Sequence, residues 1–150
     1  MMIDIILACS LNFCEFDCLF KKVAYEVNMD YKLLKSIVYV ESKFNPFAVG
    51  NKSYGLAQIN QYWLKKYKIS KEKIFNPYLN VRLGAEIYLY CYEKTKDELL
   101  ALDCYNKGEN KKLSRESTYV KKVLNAYNMF WFFLFAINRK SSKRKKCYNK

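Results

Sequence analysis

Apolar residues recur every three to four positions along most of this chain, the period of an amphipathic helix rather than the alternation of a strand. From Cys14 to Val27 this spacing places Cys18, Leu19, Val23, Ala24 and Val27 on one side. Asp30 is a good N-cap for a second helix, in which Leu33, Leu34, Ile37, Val38 and Val40 form the buried stripe and Glu41 ends it. Gly55 releases a short third helix through Trp63 and Leu64. Asn76-Pro77 joins a cap to a proline at the first helical position, opening a helix past Leu79, Val81, Leu83, Ile87 and Leu89 to Cys91. Asp97 caps another through Leu99, Leu100, Leu102 and Cys104, closing at Asn106-Lys107-Gly108. A last helix begins near Ser117 and carries Val120, Val123 and Tyr127. Strand-like alternation is scarce, and a small hairpin near Val49–Tyr54 is the most the pattern allows. The chain of 150 residues therefore reads as one mainly α domain, with no internal repeat or linker before its tail.

The two ends break the pattern. Met129 to Ile137 is solidly apolar, and extending it back to Val123 gives fifteen residues with Asn125 and Asn128 inside, short for a bilayer span. Two readings stand: the last helix packs into the core, or residues 129–150 touch a membrane surface, aromatics among the headgroups and lysines on anionic lipid. At the other end, Ile5 to Leu11 resembles a short signal-peptide core, but Asp4 interrupts it and no Lys or Arg precedes Lys21. Residues 1–17 are read as a poor or truncated leader, with an apolar first helix as the alternative. The division is then 1–17 leader, 18–127 domain, 128–137 apolar helix end and 138–150 basic tail.

Charge adds a second asymmetry. Of the net charge of +13, residues 138–150 carry seven cationic side chains and no acid, leaving a moderate +6 on the rest. Lysines outnumber arginines 23 to 4, which coding bias alone produces; the functional reading is affinity for a polyanion: a cell-wall polymer, a membrane surface or nucleic acid. Six cysteines (Cys9, Cys14, Cys18, Cys91, Cys104, Cys147) without a CxxC pair point to one or two disulfides in an exported protein, with the pairing open. There is no histidine, which removes Ser-His-Asp and Cys-His nucleophile systems and histidine zinc sites.

With four glycines and two prolines in all, the crowding of Pro46, Gly50 and Gly55 within ten residues marks a built loop directly after Glu41. A carboxylate beside an apolar stripe at a helix end is a candidate acid of raised pKa, the group that glycosidic cleavage needs to protonate its leaving oxygen. Most glycosidases add a second carboxylate, yet none occurs from Ser42 to Ser70. Either a distant acid such as Glu86 or Asp103 folds back, or one carboxylate makes both proton transfers.

Glu41-Ser-x-Phe-x-Pro-x-Ala, Gly55-Leu-x-Gln-Ile, Asn80-x-x-x-Gly84, Tyr105-Asn106-x-Gly108 and Tyr119-x-x-x-Val123 occur in order. Together, over roughly Cys18 to Tyr127, they resemble the lytic transglycosylase catalytic domain of the lysozyme-like superfamily, in its small type associated with secretion and conjugation. The resemblance implies a mainly α, lysozyme-like fold acting on peptidoglycan glycan strands in the periplasm or envelope, alongside a secretion or conjugation apparatus, without metal or organic cofactor. Nucleic acid is not the implied partner. Glu41 would act as sole acid and base at the MurNAc-GlcNAc bond, closing the muramyl 6-hydroxyl onto C1. Gln58 and Asn60 would contact glycan, Tyr105 would orient Glu41, Asn106 would support that loop, and Gly55 would let backbone approach the sugar. Two departures stand out: Ala57 where the family has methionine, opening a wall of the site, and Lys107 where it has alanine, expected to point outward. The rivals are a goose-type lysozyme that hydrolyses on the same fold, a glycan-binding domain without turnover, and a chain whose basic tail, residues 138–150, binds nucleic acid or membrane.

Overall fold

The computed structural model describes residues 16–138. The leader reading falls almost wholly outside that span, as does the basic tail beyond Asn138. Helix α1 (Asp17–Val27) ends at Asn28 in the left-handed conformation, and α2 (Tyr31–Ser42) starts at Asp30, whose carboxylate accepts the Lys32 N–H. After a turn-rich stretch come β1 (Val49–Gly50), β2 (Ser53–Tyr54) and β3 (Ile59–Asn60), then α3 (Gln61–Lys66) and a 3-10 turn at Lys73–Phe75. Three longer helices close the chain: α4 (Pro77–Thr95), α5 (Glu98–Lys107) and α6 (Thr118–Asn138).

The N-caps follow the polar residues that the sequence singles out. Asn76 accepts from the Leu79 N–H and Asp97 from the Leu100 N–H, each satisfying an otherwise orphan donor of a first turn. The start of α3 corrects the sequence reading. Gly55 does not lead directly into helix: Ile59 and Asn60 first pair back onto Tyr54 and Ser53, turning the expected hairpin into a three-stranded antiparallel sheet. Helix α3 begins only after Asn60, whose side chain accepts from the Tyr62 N–H.

Helix α4 lies at the centre, packed against α1 on one side and α5 on the other, while α2 packs along α6. The larger core joins Phe20, Leu34, Val38, Phe44, Leu56, Ile59, Leu64, Ile74 and Val81, so it ties the sheet to α1, α2 and α4. A second cluster of Ile37, Tyr88, Leu102, Val120 and Val123 binds α5 and α6 to the other side of α2. A disulfide between Cys91 and Cys104 links α4 to α5. Helix α6 turns both ways at its far end: Phe130 is buried against Phe44 and Tyr39, whereas Trp131 and Phe132 face solvent.

Candidate active site

Glu41 occupies the last turn of α2, and the chain leaves that turn through two consecutive left-handed residues, Lys43 (φ 53°) and Phe44 (φ 64°). A bulky residue pays for that conformation in steric strain, and it persists only where the surroundings hold it. Phe44 is held: its ring is 2% exposed and meets those of Phe20, Tyr39 and Phe130 at centroid distances of 5.4–6.2 Å. The anchor fixes the reversal that turns the following loop over the carboxylate.

Glu41 opens on a cavity of about 110 Å³ lined also by Ser53, Gln58, Ile59, Asn60, Trp63, Ile87, Tyr105 and Asn106. Glu41 is the only carboxylate among these lining residues. Burial pushes its pKa up from the ordinary range to about 7, against the opposing pull of a hydrogen bond from the Tyr119 hydroxyl. That hydroxyl donates to Oε1 at 2.6 Å. Burial likewise holds the phenols of Tyr105 and Tyr119 well above their usual range, reinforced by the nearby Glu41 charge, so both stay protonated donors. A carboxyl poised near neutrality in an apolar setting can give a proton and take one back.

The cavity continues into a cleft of about 360 Å³, sharing Asn60, Trp63, Ile87, Tyr105 and Asn106 and extending to Tyr62, Tyr90 and residues 107–111. The Trp63 ring meets Tyr62 and Tyr90 edge-on at 5.3 and 5.5 Å, so a rigid aromatic wall runs away from the acid.

The structure brings Gln58, Asn60, Tyr105 and Asn106 around Glu41, but their atoms are engaged in ways the sequence did not suggest. Tyr105 donates to the Ala57 carbonyl at 2.6 Å, and the hydroxyl on Glu41 is that of Tyr119. Gln58, at φ 46°, turns its amide nitrogen back to the Ala48 and Gly55 carbonyls at 3.1 and 3.0 Å, bracing the loop. The oxygen of Asn60 caps α3, while Asn106 stands exposed at the end of α5 on the rim of both cavities.

Gly55 does not line the cavity. It is buried at φ 78°, where an added Cβ would sit 2.2 Å from the Asn80 amide nitrogen, so its smoothness serves the protein's own interior. Ala57 is fully buried on Gly84, whose own Cβ would approach the Ala57 Cβ to 2.6 Å; it is core, and no wall of the site is lost there. Lys107 points away from Glu41, as expected, pairing with Asp103 at 2.8 Å. Burial raises the Asp103 pKa, but Lys107, Ser117 and the Ser114 N–H outweigh it and hold that carboxyl below the usual range. Glu86 pairs with Arg82. Neither acid folds back onto the site.

Sequence reading assigned no role to Ser53, Trp63 or Tyr119. Tyr119 stood in the final motif, but its contact with Glu41 spans 78 residues, a pairing that helical periodicity carries no sign of.

A single desolvated glutamate at a helix end, roofed by a small sheet and flanked by an aromatic cleft, defines a lysozyme-like domain. The same fold occurs in an inactive mutant of the lytic transglycosylase Slt from Pseudomonas aeruginosa, with a TM-score of 0.63 at 20% identity, covering 78% of this chain and 24% of that one. The chain belongs to the Transglycosylase SLT domain family, whose model matches residues 18–128. It is 31% identical to protein IpgF from Shigella sonnei, covering 74% of this chain and 79% of that protein. Type IV secretion system protein virB1 from Brucella suis is 27% identical, with 61% of this chain and 56% of the relative covered. The chain therefore spans little more than half the length of the Brucella relatives.

Proposed function

We propose that this chain is a peptidoglycan lytic transglycosylase in which Glu41 makes both proton transfers. The observation that carries the reading is a lone buried carboxyl of pKa about 7 on a cavity without a second acid. Protonated Glu41 gives its proton to the oxygen between N-acetylmuramic acid and N-acetylglucosamine as the C1–O bond breaks. The resulting carboxylate, opposite the positive charge developing at C1, then takes the proton of the muramyl 6-hydroxyl. Oxygen 6 closes on C1, giving a 1,6-anhydro end and returning Glu41 to its protonated form. No water is activated, so no second carboxylate is required.

In this mechanism Tyr119 steadies Oε1, and the aromatic cleft holds the strand flanking the cleaved bond. Asn106 and the free amide nitrogen of Asn60 face the sugars. Work in the cell envelope beside a secretion apparatus is part of this reading, supported by the likeness to the type IV secretion system proteins virB1 of Brucella, and fractionation of cells expressing the full chain tests it. Mass spectrometry of sacculus digests tests the chemistry. Anhydro-muropeptides are expected from the unaltered chain, and Glu41→Gln should lower their yield by about a thousandfold or more. Reducing-end muramic acid alone would establish a goose-type hydrolase instead, and the absence of any Glu41-dependent product a glycan-binding domain.

A further inference from the structure

Helix α2 packs along α6, and Phe130 near the far end of α6 meets Tyr39 and Phe44, which flank Glu41, while Lys32 near the start of α2 lies over Trp131. Trp131 and Phe132 turn outward from that contact and line neither the cavity of Glu41 nor its cleft.

Trp131 is 51% and Phe132 84% exposed, and Leu124 shares their face of α6. With Lys121 and Asn128 they span a sector of about 100° on α6. That face is polar at Lys121 and Asn128 and aromatic only beyond them. The sequence continues with Phe133-Leu134-Phe135-Ala136-Ile137 and a basic tail of seven cations without an acid. Lys32 holds its ammonium 3.6 Å from the Trp131 ring centre, and Lys21 lies 5.5 Å from that of Tyr31. Both acids nearby are engaged: Asp17 pairs with Lys35, and Asp30 caps α2 and accepts the Tyr127 hydroxyl at 2.8 Å. Among the described residues no helix is long and apolar enough to cross a membrane.

Exposed aromatic rings fringed by lysines, followed by an apolar run and a cationic tail, match the headgroup region of an anionic bilayer. We infer that the face built from Lys32, Leu124, Trp131 and Phe132 docks on an anionic phospholipid surface. The inference stands apart from the catalytic reading, because none of these four residues lines the cavity of Glu41 or its cleft.

Sedimentation of the full chain with vesicles tests it. Binding is expected to vesicles of phosphatidylcholine mixed with phosphatidylglycerol and not to phosphatidylcholine alone. Joint replacement Trp131→Ser and Phe132→Ser should weaken that binding by about tenfold or more while the basic tail is intact. Brominated acyl chains should quench the tryptophan fluorescence of the bound chain, and Trp131→Phe should abolish that quenching. Equal binding to both vesicles, no binding, undiminished binding of the double variant, or quenching that survives Trp131→Phe would each overturn the inference. The double variant should release anhydro-muropeptides from sacculi as the unaltered chain does, so failure of docking and failure of the catalytic reading show up separately.

Discussion

Glu41 begins each proposed turnover protonated, so its pKa of about 7 sets the alkaline limit of the reaction. The rate with soluble glycan should fall above that pH. The Tyr119 hydroxyl favours the ionised form; Tyr119→Phe should therefore shift the alkaline limb upward while lowering the maximal rate. A pH–rate profile with an unmoved limb would remove Tyr119 from the site's electrostatics. The same burial has a stability consequence of definite sign. Because the folded-state pKa lies above the ordinary 4.5, the folded chain holds the Glu41 proton more tightly than the unfolded chain. The resulting stabilisation is complete below pH 4.5 and is lost as pH rises through 7. Glu41→Gln removes the ionisation, so its stability advantage over the natural residue should grow by about 1–3 kcal/mol between pH 5 and pH 8. Urea unfolding at the two pH values measures this. Glu41 itself was legible in sequence as a helix-end acid beside an apolar stripe. The hydroxyl upon it was not, because the contact joins the ends of two helices far apart in the chain.

Within the sheet and α4, one buried side chain coordinates the loop behind the site. Asn80, 1% exposed, accepts the Ala57 N–H at 2.7 Å and donates to the carbonyls of Tyr54 and Ile74 at 2.8 and 3.0 Å. Tyr105 takes the Ala57 carbonyl from the other side, so that residue is gripped at both its N–H and its C=O. Asn80→Ala would remove these three hydrogen bonds and should cost about 2–4 kcal/mol, read as a lower urea midpoint. Gly55 and Gly84 belong to the same arrangement, since each lets a neighbour approach closer than a Cβ would permit. The longer helices were readable because cap residues and a 3.6-residue period act locally. The start of α3 was not, because two-residue strands carry no period and Ile59 and Asn60 become strand only by pairing with Tyr54 and Ser53.

Across the whole molecule, the Cys91–Cys104 disulfide joins α4 to α5 just before Tyr105 and borders the aromatic cleft. Closing its loop, with a sequence separation of 13, should contribute about 3 kcal/mol. Joint replacement of both cysteines by serine should therefore lower the calorimetric Tm by roughly 6–12 °C. The number of cysteines was plain in the sequence, while the pairing of Cys91 with Cys104 depended on how α4 and α5 lie together. By itself the sequence determined the helical class, most caps, the glycine-proline loop after Glu41 and the absence of an acid near it, because these rest on contacts a few residues long. Only the tertiary structure decided that Glu86 and Asp103 stay away from the site, that Gly55 and Ala57 belong to the core, and that Tyr119 rather than Tyr105 donates to Glu41. Those outcomes depend on which helix faces meet, and that is settled by packing the whole core rather than by any one segment.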